Sequence, residues 1–437
     1  MPDEQIPTYN LKVVLKQTGL KADTLRAWER RYGLPNPGRS AGRHRLYSQR
    51  DIDTIKWLRA RQGEGMSISN AVELWMSLED EGNDPLLMEE FATPSVAAPR
   101  PTARGGQDLE ELRDAWIAAC SNFDESASAS ILSEAFALFA VEDVCLQVIL
   151  DGMHHIGQGW YEGDVAVEQE HFASAIAKRQ LEALVSAAPA PTRPEKIVVG
   201  AAPGDLHDLA LLMITLLLKR RGWDVIYLGA NVPLESYAAI FDSSRFDLAI
   251  ISAEQLFTVG NLYNVASLAQ QAGIPLLFGG RIFREVPDLR NRIPGTYLGE
   301  RLEAVPGVVA RGFSTSFPDP DPVVIDETYH NALVEFEEQS PRIELSVRQV
   351  MGERMPPEAL ELANLNFSRD IQAALILGDL NFVPQELEWI KGLINNRGLP
   401  ASLLSAYLNT YTQAALEHLV ENGQLVVNWL QQLKINE

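Results

Sequence analysis

The chain has 437 residues, 46% of them hydrophobic and 22% charged, with a formal net charge of −22. That length suggests two to four domains, and the acidity excludes a chain that coats nucleic acid along its whole length. The two cysteines, Cys120 and Cys145, stand in no metal-type pair and are too few for a disulfide framework, which fits a reducing compartment.

The charge is unevenly spread. Residues 1–75 hold 13 Lys and Arg against 8 Asp and Glu, a local net of +5, which leaves −27 on the remaining 362. A basic head on an acidic body is expected where one module meets phosphate and the rest does not. The opening Met1-Pro2-Asp3-Glu4-Gln5 is unlike a signal peptide. The longest apolar run, Leu209 to Leu218, is about half the ~20 residues that span a bilayer. The expectation is a cytoplasmic protein with no membrane partner.

In chain order, residues 8–78 predict a basic, helix-rich unit. Leu11 to Gly19 and Asp23 to Arg31 read as two helices separated by a short turn. Leu25, Trp28 and Tyr32 fall on the core face, and Arg26 and Arg30 on another. A helix-turn-helix lays its second helix in the major groove of double-stranded DNA, where Arg reaches guanine edges. Pro37 to Tyr47 reads as a basic hairpin able to act as a wing, with Arg39, Arg43 and Arg45 joining Arg26 and Arg30 as candidate DNA contacts.

Residues 82–107, rich in Pro, Ala, Thr and Gly, read as a linker. Residues 108–188 read as a helical bundle, with apolar positions at helical spacing from Leu109, Leu112 and Trp116 and again from Val144 to Ile156. Residues 195–315 alternate strand and helix, the pattern of a Rossmann-like doubly wound parallel sheet. Residues 327–437 return to helices, broken at Pro356-Pro357, Pro384 and Pro400, with Leu362, Leu365, Ile371 and Leu375 as one candidate buried face. The fold class is therefore multidomain α and α/β: winged helix-turn-helix, four-helix bundle, Rossmann-like sheet and C-terminal helical bundle.

Two constellations carry chemistry. Gly204-Asp205-Leu206-His207 follows the first strand of the β/α section, and ligands of open α/β sheets bind at the carboxyl ends of strands. His207 can offer an imidazole nitrogen to a metal, with Asp205 fixing its tautomer. Upstream, Trp160, Val167, Glu170 and His171 lie around one helix–helix turn. They converge as an aromatic, a carboxylate and an imidazole suited to a nucleoside-like group. Asp164 is the expected N-cap of the second helix there.

The head resembles the MerR family in Thr24-Leu25-Arg26-Ala27-Trp28-Glu29-Arg30-Arg31-Tyr32-Gly33 and in Gly42-Arg43-His44-Arg45-Leu46-Tyr47. The Asp205-x-His207 run resembles the cobalamin motif Asp-x-His-x-x-Gly of methionine synthase and its relatives, with Ala210 where that motif ends in Gly. The resemblance implies that His207 is the lower axial ligand of cobalt and that Ser252, Gly279 and Gly280 border the nucleotide tail. The Trp-x9-Glu-His spacing from Trp160 to Glu170-His171 is similar to that of CarH-type photoreceptors. That implies adenosylcobalamin, with Trp160, Val167 and Glu170 around its adenosyl group and His171 approaching cobalt once light removes it. It also implies a light-responsive repressor, not an enzyme, acting as a dimer or tetramer on DNA.

Three other readings stay open. They are a methyl-carrying corrinoid component of an enzyme, a cobalamin-independent regulator, and a sensor with a bilin in the C-terminal helices. For those helices the two roles are oligomerisation and a second sensor, with His330 and His418 as the polar candidates.

Overall fold

The computed structural model describes residues 8–18, 20, 22–35, 37–39, 45–63, 68, 71, 72, 75, 76, 108–243, 245–318, 323–396, 400 and 402–433. The expected linker at 82–107 lies outside these residues, as do Arg43, His44 and the side chain of Arg39. The chain divides into two compact units, Met1–Pro99 and Arg100–Glu437.

The first unit holds β1 (Tyr9–Asn10), α1 (Leu11–Thr18), α2 (Ala22–Tyr32), β2 (Gly38–Arg39), β3 (Arg45–Tyr47) and α3 (Gln49–Gly63). β3 lies between β1 and β2 in an antiparallel ribbon, with Gly38 opposite Leu46 and Arg39 opposite Arg45. Leu25 and Trp28 bury the inner face of α2 against Val14, Tyr47, Ile52 and Ile55. Arg26 and Arg30, four residues apart, stay exposed. Glu29 pins this helix to the wing: its carboxylate accepts from Arg45 Nε at 2.8 Å and from the Tyr47 hydroxyl at 2.6 Å.

The second unit begins with the bundle: α4 (Leu109–Ser121), α5 (Glu125–Leu138), α6 (Val141–Val144), a π-helical turn (Cys145–Leu150), α7 (Asp151–Glu162) and α8 (Val167–Ser186). Trp116 is fully buried at its centre, and Gly152 makes room for it, since a Cβ there would stand 2.8 Å from the indole. Burial pushes the thiols of Cys120 and Cys145 up to about 12, so both are inert packing groups. The N-cap of α8 is Ala166, not Asp164 as expected. The side chain of Gln169 reaches back to the Ala166 N–H at 2.7 Å, which supplies the cap from inside the helix instead.

Next come β4 (Lys196–Ala201), α9 (Leu209–Arg220), β5 (Asp224–Gly229), α10 (Leu234–Asp242), β6 (Leu248–Ser252), α11 (Leu256–Gln271), β7 (Leu276–Gly279), α12 (Ile282–Glu285), β8 (Thr296–Tyr297) and α13 (Val305–Thr315). The strands are all parallel in the order β5-β4-β6-β7-β8. β4 and β6 are buried on both faces, hence their unbroken apolar runs, whereas β5 is an edge strand and exposes Ile226. Every residue of α9 from Leu211 to Leu218 is buried. Leu212, Met213, Leu216 and Leu217 fill the bundle core, and the rest of the helix lies along the sheet. Among the described residues, no helix is long and apolar enough to cross a membrane.

Among the described residues five α-helices follow: α14 (Glu327–Met351), α15 (Pro357–Ile376), α16 (Val383–Asn396), α17 (Ser402–His418) and α18 (Gln424–Gln432). They share one hydrophobic core with the sheet. α15 lies directly on α11, where a Cβ on Gly260 would meet Ala373 at 2.8 Å. Ile371 and Leu375 are buried as expected, but Leu362 is 57% and Leu365 40% exposed. The inward stripe runs instead through Leu360, Asn364, Phe367, Ile371 and Leu375, at spacings of four, three, four and four. Leu362 falls about 200° around the helix from Leu360.

Glu29→Ala would strand the Arg45 guanidinium and the Tyr47 hydroxyl together. The first-unit transition in urea is expected to lose about 1–3 kcal/mol. An unchanged transition would show that the wing does not depend on this carboxylate.

Candidate functional site

The chain leaves β4 for β5 on one side and crosses back from β5 to β6 on the other, which makes the gap between the carboxyl ends of β4 and β6 a topological switch point, where open α/β sheets take ligands. The loop after β4 turns through Gly204 at φ +84, held by its N–H to Asn231 Oδ1 at 2.7 Å and by Asn261 Nδ2 to the Pro203 carbonyl at 2.8 Å. It delivers Asp205, 2% exposed, beneath His207. One oxygen of Asp205 accepts from the His207 backbone N–H and lies 2.9 Å from His207 Nδ1. The other accepts from the Glu254 N–H at 2.7 Å, in the loop after β6. Asp205 therefore joins the two loops of the switch point and orients the imidazole.

This hydrogen bond leads in raising the His207 pKa above its ordinary value, against the effect of burial. With Nδ1 committed to the carboxylate, Nε2 is the nitrogen available to a metal, and the side chain is 63% exposed. Asp208, the next residue, turns the other way. It is 5% exposed and accepts from Lys178 Nζ at 2.5 Å and from the Tyr227 hydroxyl at 2.8 Å. Burial and that bond hold the Tyr227 pKa well above the phenolic range. Lys178 belongs to α8, so the bundle is bonded directly to the histidine loop. Sequence reasoning missed this link, because nothing local marks a lysine 30 residues away as a partner.

The rim also includes the other predicted positions. Ser252 ends β6, opposite Ala201 on one side and Gly279 on the other. Its Oγ is buried and has no hydrogen-bond partner among the described residues. Gly279 has space around it, the nearest heavy atom to an added Cβ being 3.9 Å away. Gly280 is at φ +134, and a Cβ there would stand 1.9 Å from the Ala253 carbonyl oxygen. A buried hydroxyl awaiting a partner, beside a side-chain-free shelf, fits a ligand tail running over the strand ends. Glu254 stands beside it, its pKa raised by burial, and accepts from the Arg281 N–H at 3.0 Å. Ala210, in the first turn of α9, is half-buried.

The upstream constellation sits on the bundle. Trp160, half-buried, is in the last turn of α7; Val167 and Glu170-His171 are in the first turn or so of α8. Val167 is 42% exposed, and His171 Nδ1 lies 2.9 Å from Glu170 Oε2. His171 and Lys178 are seven residues apart on the helix, about 10 Å along its axis. The face that carries Glu170 and His171 thus continues to the contact with Asp208. His155 Nδ1 lies 2.8 Å from the Asp151 carbonyl oxygen, a local contact within the helix.

Comparison with known proteins agrees with these parts. Residues 9–77 match the MerR HTH family regulatory protein model, and residues 112–185 and 195–309 match two B12 binding domain models. The matched parts are thus a MerR-type helix-turn-helix head followed by two B12-binding segments. The chain is similar to the HTH-type transcriptional repressor CarH of Myxococcus xanthus, at 28% identity over 63% of this chain and 90% of that protein. It is likewise similar to the repressor CarA of the same organism, at 29% identity over 64% of this chain and 88% of that one. Among solved structures, the monomethylamine corrinoid protein of Methanosarcina barkeri covers 47% of this chain and 99% of itself, at 17% identity and a TM-score of 0.41.

Asp205→Asn would turn an amide N–H2 toward a donor in a buried place. Corrinoid affinity is expected to fall about 10–100-fold, read by equilibrium dialysis against hydroxocobalamin. Affinity equal to wild type would remove Asp205 from the site.

Proposed function

We propose that this chain is a light-responsive transcriptional repressor that holds adenosylcobalamin between its bundle and its sheet. One observation carries the reading: the bundle helix that bears Glu170 and His171 is bonded, through Lys178 and Asp208, to the loop that presents His207. Residues suited to both faces of a corrin are thereby mounted on one connected frame. The names of the similar repressors CarH and CarA support the sign of control.

The cofactor supplies a single piece of chemistry, a cobalt–carbon bond that visible light breaks. The remaining work falls to the chain. His207 would hold the cobalt through Nε2, while Asp205 holds its other nitrogen. Ser252, Gly279 and Gly280 make the shelf for the tail. Trp160, Val167 and Glu170 would border the adenosyl group, and so would favour the conformation in which that group is present. A ligand shifts a conformational equilibrium only by its differential affinity for the two states, and these residues supply the difference. His171 offers its second ring nitrogen from the same helix.

On the DNA side, Arg26 and Arg30 on α2 serve the major groove, and Arg39, Arg43 and Arg45 serve the wing. Arg45 is already paired with Glu29, which makes it the anchor of the wing as much as a phosphate contact. Pairing heads in a dimer or tetramer multiplies affinity through effective concentration. The C-terminal helices support that assembly, since Leu345, Val350, Leu362 and Leu416 are exposed on them. They carry no cysteine for covalent attachment of a bilin, and His418 lies 2.9 Å from the Ser346 hydroxyl.

The test is to load the chain with adenosylcobalamin in darkness and follow its visible spectrum, size and DNA retention before and after illumination. A spectral change with loss of DNA is expected. Uptake with no response to light would leave a regulator governed by cobalamin level, and no uptake would end the cobalamin reading. His207→Ala should shift the spectrum to that of a cofactor lacking the imidazole below, and a spectrum identical to wild type removes the axial role. Arg43→Ala should weaken binding to any duplex and lower its salt slope by about one; an unaltered slope would take the wing off the phosphate backbone.

A further inference from the structure

α7 ends abruptly at Gly163, φ +90. The Gly163 N–H returns to the Trp160 carbonyl, and those of Asp164 and Val165 both return to Gly159. The Tyr161 carbonyl lies in this last turn, where a helix carbonyl can take a donor from outside the helix. That donor comes from 235 residues away: Asn396 Nδ2, at the end of α16, stands 3.1 Å from it. One turn earlier on α16, an added Cβ on Gly392 would lie 1.8 Å from the Tyr161 hydroxyl, so the glycine is the seat on which that ring rests. The far side of the contact is also tight, with a Cβ on Gly163 placed 3.2 Å from the Asn396 carbonyl oxygen.

α16 is firmly rooted. Val383 and Leu387 are buried in the core shared with the sheet, and Arg292 lies 3.8 Å from Asp379 just before it. The helix thus runs from α15 to the end of α7. The family models stop at residue 309, well short of it.

We propose that α16 is a clasp, and that Gly392 and Asn396 are positioning residues for Trp160. Tyr161 and Trp160 are neighbours about 100° apart on the helix, so holding that turn of backbone at Tyr161 sets the position from which the Trp160 side chain projects. The clasp acts through Trp160 on the upper ligand of cobalamin. In that respect it rests on the function proposed above; the contact between α16 and α7 does not.

The test uses the full chain with Gly392→Leu and the milder Asn396→Ala. In the unloaded protein, amide hydrogen exchange across residues 151–166 should quicken about tenfold, with β4 unchanged. In loaded protein, the preference for adenosylcobalamin over hydroxocobalamin should fall about tenfold at constant hydroxocobalamin affinity, because only the adenosyl form meets Trp160. Wild-type exchange in both variants overturns the clasp, as does an equal loss of both cobalamins, which marks a merely structural contact. Trp160→Ala is the reference. If it leaves the preference intact, the cap assignment fails on its own, and the exchange result alone decides the clasp.

Discussion

A single buried carboxylate holds the site together. Asp205 is sealed from water, and an unpaired charge there would be strongly unfavourable. It persists because the His207 and Glu254 backbone N–H groups and the His207 ring surround it. Those donors come from the loops after β4 and β6, so the charge can be satisfied only when the two strand ends are in register. Folding of the switch point and orientation of the imidazole are thus one event. The exposed imidazole can be reactive because the group beneath it is not.

What was legible in the sequence follows from period and from locality. β4 and β6 show as unbroken apolar runs because both faces are covered, and α2 shows its inward Leu25 and Trp28 against outward Arg26 and Arg30. The Asp205-x-His207 contact spans two residues and is written in the loop itself. β8, only two residues long, left no pattern to read. The buried stripe of α15 includes Asn364 and Ser368, polar residues satisfied inside the bundle, and the more apolar Leu362 and Leu365 drew the expectation to the wrong face. Lys178 with Asp208, and Asn396 with Tyr161, are pairs that only the folded topology creates.

The helices after residue 327 extend the sheet's own core across α11 and send α16 to the bundle. Two of the ties within this unit differ in kind. Lys178 and Asp208 join the lower loop to the middle of α8, and Asn396 caps α7 at the other end of the bundle. One tie is electrostatic and partly open to water. The other is a close packing of glycine against tyrosine, which tolerates little displacement.

The all-round burial of α9 limits how the body can respond to its ligand. A helix with leucine on every side has no surface it can turn to solvent, so the layers on either side cannot separate without wetting it. Burying each of Leu212, Leu216 and Leu217 is worth about 1.5–3 kcal/mol, which sets a steep toll on prying the layers apart. Sliding or pivoting along the helix keeps that surface dry. The permitted response is therefore a shear with the apolar rod as its bearing, and the quantity that changes is an angle between layers at constant thickness.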